Sequence, residues 1–146
     1  MRYYEDLDVG TVTVCADVHH VTEAEIMRVG REWDPQPMHT DPEAAASLPF
    51  GTLVASTVHL LAIAVKMGVE QQPIATVSGL GLTNMVNHAP VRPGDRLRKE
   101  TTILERRLSN SRPGEGLVTF RSTLINDHDE VVFSYEGTSL IRLRPI

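Results

Sequence analysis

The stretch Thr52–Met67, TLVASTVHLLAIAVKM, decides the fold. Leu53, Val54, Val58, Leu60, Leu61, Ile63 and Val65 fall on every side of a 3.6-residue period, so a helix here has no wide polar face. Such a helix must be surrounded. Strand-like runs on either side can do this. Before it, Thr11–His19 is rich in Thr and Val. After it come Ile74–Leu82, Arg96–Arg107, Leu117–Asn126 and Val131–Leu143. The turns RPGD (Arg92–Asp95), SRPGEG (Ser111–Gly116) and NDHDE (Asn126–Glu130) punctuate them. Val118, Phe120 and Leu124 share one face at period two, as do Val131, Phe133, Tyr135, Ile141 and Leu143. The expected fold is α+β: an antiparallel sheet wrapped around a long central helix, in a single domain spanning 1–146.

Composition narrows the function. The chain has 146 residues, 41% hydrophobic and 23% charged, an ordinary soluble globular mixture. A net charge of -5 and a pI near 5.6 argue against a nucleic-acid partner, which calls for clustered cations. One cysteine, Cys15, leaves no internal disulfide framework and suits a reducing cytoplasm. It sits in TVTVCADV and reads as a small buried hydrophobe. MRYYEDLDVG carries no apolar signal core, and the run Leu53–Val65 is interrupted by Ser56, Thr57 and His59. The expectation is a cytoplasmic protein with no membrane partner.

Chemistry concentrates in Trp33–Ala45, WDPQPMHTDPEAA. Ahead of it, Thr22 and Glu25 form a capping box that opens a helix through about Arg31. The prolines at 35, 37 and 42 make Asp34–Pro42 irregular. Pro42 then starts a short helix, PEAAAS, with Asp41 as its N-cap. Asp41 is read as that alone. Asp34 and His39 are left as ionisable groups in a stiffened segment.

DPQPMHTDP, FGTLVAS and PVRPGDRLR together resemble the MaoC-like dehydratase family, which includes the (R)-specific enoyl-CoA hydratases. The likeness runs from EDLDVGT to the final strand. It implies the hotdog fold and assembly as a homodimer or higher homo-oligomer. It also implies that Asp34 and His39 jointly activate a water that adds across an enoyl thioester. A carboxylate and an imidazole can hold one water and trade the roles of base and acid. In the family a glycine ahead of the central helix offers its amide to the thioester oxygen, and FGTL puts Gly51 there. An ordinary tight helix entry would also place a glycine at that point. Ser56 and His59, one turn apart, are candidates to line the substrate pocket. Some family members carry serine near His59, so the histidine is a departure, and a satisfied core histidine is the alternative.

The implied activity is a hydro-lyase of fatty-acid metabolism. It would act on 2-enoyl or 3-hydroxyacyl thioesters of CoA or an acyl carrier, with no cofactor and no metal. Two alternatives stand beside it. One is a hotdog thioesterase, whose carboxylate generally lies on the central helix; here that helix has no Asp or Glu before Glu70. The other is a non-catalytic acyl-binding subunit. His19 and His20 are expected to be exposed. Arg92, Arg96, Arg98, Arg106 and Arg107 are candidates for CoA phosphates by charge alone.

Overall fold

Helix starts follow local capping chemistry in the computed structural model, which describes residues 1–146. The Thr22 hydroxyl accepts the Glu25 amide at 3.1 Å and opens α1, Glu23–Trp33. Pro35 disfavours α geometry at Asp34, which ends the helix with φ -152°. The next segment is less irregular than expected. Pro37 has the first helical position of a one-turn helix, α2, Pro37–Thr40, where its ring fixes a suitable φ. Asp41 accepts the Glu43 and Ala44 amides at 3.0 and 3.1 Å and caps α3, Pro42–Ala46.

The central helix, α4, runs Thr57–Gln71 and therefore starts five residues later than the apolar pattern suggests. Ser56 is its N-cap, and its hydroxyl accepts the His59 amide at 3.3 Å. The residues before it find partners outside any helix: Val54 donates to the Met38 carbonyl at 3.0 Å and Ala55 to that of Val91 at 2.9 Å. Leu53 and Val54 are buried all the same, so hydrophobicity alone could not mark the boundary. Leu60, Ile63, Ala64 and Met67 are buried, whereas Val58, Val65 and Val69 stand exposed along the outward face. One side of α4 is thus uncovered. No helix is long and apolar enough to cross a membrane.

The expected first strand divides into β1, Val12–Val14, and β2, His19–His20, both pairing with β4. The other strands are β3, Thr76–Asn87; β4, Arg96–Leu108; β5, Glu115–Ile125; and β6, Val131–Arg142. Their order is β1-β4-β5-β6-β3, every neighbouring pair antiparallel. Leu60, Ile63 and Met67 of α4 pack with Leu97, Leu124 and Phe133 of the sheet. Each such side chain contributes roughly 1.5–3 kcal/mol through burial. A second cluster, Leu7, Ile103, Val118 and Ile141, lies under the N-terminal turn. A helix embraced by an antiparallel sheet is the hotdog fold.

Two departures concern the sheet. Val131, placed on the inner face by alternation, is 40% exposed beside its hairpin. β3 extends five residues beyond Leu82, kinked where Asn84 takes φ 50°. It is the terminal strand, and Leu80, Leu82, Met85 and Val86 are exposed along it.

Candidate active site

Asp34 and His39 come together because α1 and α2 approach unusually closely. A Cβ on Gly30 would lie 2.6 Å from the His39 carbonyl oxygen, so only glycine permits the contact. The Asp34 Oδ2 and His39 Nε2 atoms are 3.4 Å apart. Gln36 donates its amide to Asp34 Oδ1 at 2.8 Å. His39 is buried, and its Nδ1 stands 2.5 Å from the Val54 carbonyl. A carbonyl only accepts, so Nδ1 carries the hydrogen and Nε2 faces the carboxylate. The pair lies in the wall of a cavity of about 320 Å³, with Phe50, Thr57, Leu60 and the segment Asn87–Val91 around it.

Gly51 does not supply the amide expected of it. It lies in a turn with φ +69°, five residues ahead of the Ser56 cap, and its N–H is already donated to the Leu48 carbonyl at 2.9 Å. It is absent from the cavity lining, although Phe50 is present. The free amides at the head of α4 belong to Thr57 and Val58, neither of which donates within the chain. Thr57 lines the cavity, at the positive end of the helix.

Comparison with known proteins gives the family. The model of the MaoC-like domain matches residues 9–123. The chain belongs to the MaoC-like dehydratase family. It is 38% identical to a MaoC-like dehydratase from Rhodospirillum rubrum, with a TM-score of 0.91 and 99% of each chain covered. It is also 31% identical over 124 residues to the uncharacterized protein YdeM of Bacillus subtilis, covering 84% of this chain and 86% of that protein. The R-hydratase PhaJ1 from Pseudomonas aeruginosa shares the fold, with a TM-score of 0.79 at 22% identity over 97% of this chain and 86% of that one.

In this MaoC-like chain Ser56 and His59 fall outside the cavity that Asp34 and His39 line. Ser56 is buried as the cap of α4. His59 turns to the other side of the helix, where its Nε2 is 3.4 Å from Glu25 Oε1. Glu25 is also bound by His19 at 2.9 Å, so His19 is partly buried against that carboxylate instead of exposed. Burial holds the His59 pKa below the usual imidazole value. Burial would raise that of Glu25, but the two histidines outweigh it and hold the carboxyl below its usual range.

Sequence reasoning missed Asn87 and His88, the end of β3, which line the cavity. Asn87 donates to the Thr57 hydroxyl at 2.8 Å, and His88 Nε2 is 2.7 Å from Ser134 Oγ. Only the full length of β3 brings them there. Arg98 and Arg106 are engaged elsewhere, by Asp129 at 2.9 Å and Asp8 at 3.0 Å.

Proposed function

We propose that this MaoC-like protein adds water to a 2-enoyl thioester, and removes it from the 3-hydroxyacyl thioester in reverse. The observation that carries this reading is the Asp34–His39 pair, 3.4 Å apart, with His39 anchored through Nδ1. A water between Oδ2 and Nε2 would give a proton to one of them while its oxygen bonds to C3. The C2=C3 electron pair moves through the carbonyl onto the thioester oxygen, where the Thr57 amide receives the charge. The group that took the water's proton then delivers it to C2, which leaves the pair as it began. One water is added, and the reaction as written needs no cofactor or metal.

A thioesterase would aim water at the thioester carbon. α4 offers no carboxylate before Glu70, and Glu25 is enclosed by His19 and His59 on the other side of the helix. The intact pair disfavours a purely acyl-binding role. Substrates of this kind belong to fatty-acid metabolism, and the single buried thiol of Cys15 suits a cytoplasmic setting. The unpaired, apolar edge of β3 supports a homodimer built by pairing that strand with its copy.

A panel of 2-enoyl thioesters tests the chemistry. The conjugated enoyl absorbance should disappear without release of free thiol. Asp34→Asn and His39→Ala should each lower kcat by roughly 10²–10⁴, and the double variant little further. Release of thiol that depends on Asp34 would replace this reading with the thioesterase.

A further inference from the structure

A second cavity, of about 380 Å³, opens between α1 and α4. Arg28, Val29 and Trp33 of α1 line it with Val58, Ala62 and Lys66 of α4, so open space replaces side-chain packing along this flank. One polar contact bridges the gap. Glu25, in the first turn of α1, has Oε1 3.4 Å from Nε2 of His59, in the first turn of α4. His19 of β2 lies 2.9 Å from the other carboxylate oxygen. His59 is only 2% exposed, and the hydration chemistry makes no use of it. A buried polar group of that kind calls for an explanation.

The rest of α1 shows what the bridge can govern. The helix is 11 residues long, has Glu25 near its head and ends on Asp34, whose amide donates to the Gly30 carbonyl at 2.9 Å. Between these ends Gly30 is pressed against His39, where a Cβ would lie 2.6 Å from the carbonyl oxygen. Three turns of hydrogen-bonded helix tilt as a rod, and the tightest contact along the rod is its fulcrum. Glu25 is five residues from Gly30 and Asp34 four, about 7.5 and 6 Å by helical rise. A shift of about 1 Å at Glu25 therefore becomes about 0.8 Å at Asp34, in the opposite direction. Ile26 packs in the core with Leu60 and Ile63, which sets the depth of α1 and leaves its swing toward the cavity to Glu25.

His39 does not follow that swing. It belongs to α2, and its Nδ1 is tied to the Val54 carbonyl. The 3.4 Å between Asp34 Oδ2 and His39 Nε2 is then set from the far end of α1. Misplacing a reacting group by about 1 Å can cost about 10²-fold in rate. We propose that Glu25, held by His59 and His19, is a positioning residue that fixes the Asp34–His39 separation through α1. Its effect on turnover rests on the hydration reading of that pair; the mechanical coupling does not.

Nuclear magnetic resonance and kinetics test the two parts separately. The ring resonances of His39 report its neighbour, so Asp34→Asn should move them. Glu25→Ala, which removes the bridge, should move them too. Glu25→Gln can still hydrogen-bond the imidazoles and should leave them near the wild type. His59→Leu severs the bridge from α4 at similar volume and should act like Glu25→Ala. On a 2-enoyl thioester, Glu25→Ala should lower kcat roughly tenfold or more with KM little changed. In an Asp34→Asn background the same substitution should cost nothing further, because a residue acting through Asp34 has no target left. Unmoved His39 resonances in both bridge variants, or losses that simply add to that of Asp34→Asn, would overturn the inference. Resonances that move in a protein hydrating no enoyl thioester would uphold the coupling and sink the hydratase reading instead.

Discussion

A proline at position 57 would delete the amide hydrogen together with the hydroxyl that accepts from Asn87. Position 57 is the first of α4, where proline is tolerated, and Ser56 already has the extended geometry, ψ 161°, that a following proline requires. Thr57→Pro should therefore fold with near-wild-type melting, yet lower kcat by about 10²–10³, the cost of losing an oxyanion donor. Thr57→Ala separates the side chain, which accepts from Asn87, from the amide. Equal kcat values for the two variants would remove the Thr57 amide from the mechanism.

Among the elements, Glu25 ties α1 to β2 and α4 through His19 and His59. The pKa values of Glu25 and His59 both lie below their usual ones in the folded chain. As pH falls, the unfolded chain therefore takes up these protons first, at about 6.5 for histidine and 4.3 for glutamate. The stability they contribute is complete above those values and is lost on acidification. Thermal melts should show Tm falling between about pH 7 and pH 5, with a shallower fall in His59→Leu. An unchanged slope in that variant would mean that His59 is not the titrating group. Glu25 also marks what a sequence can disclose. Its amide bond to Thr22 is local, so the cap was legible, as was that of Asp41. Its histidine partners lie on other elements, His19 on β2 and His59 on α4, and meet it only through packing. The start of α4 was illegible for a related reason: Leu53 and Val54 are buried whether helical or not. Asp34 and His39 were legible as a pair from their spacing and the family likeness, but the glycine that lets them meet was not, because its role lies in a contact between helices.

For the whole molecule, the exposed edge of β3 is the unfinished side of the sheet. Sedimentation should show a dimer at micromolar concentration, and Leu80→Lys/Leu82→Lys should shift it to monomer, since lysines on an edge strand oppose pairing. Activity should fall with dissociation, because Asn87 at the end of the same strand and His88 after it line the cavity of Asp34 and His39. A wild-type monomer of full activity would refute the proposed pairing. The fold class was legible from the buried helix and strand periodicity. The reach of β3 was not, since its bulges and the positive φ of Asn84 break the alternation that marks a strand.

Val54 serves the site twice, through different atoms. The residue lines the cavity, while its carbonyl holds the hydrogen of His39 Nδ1. Every amino acid has the carbonyl; only the side chain is encoded. Mutation at codon 54 can therefore reshape the cavity while the anchor of the imidazole is inherited unchanged; under the proposed hydration, selectivity could drift at this position without the proton chemistry drifting too.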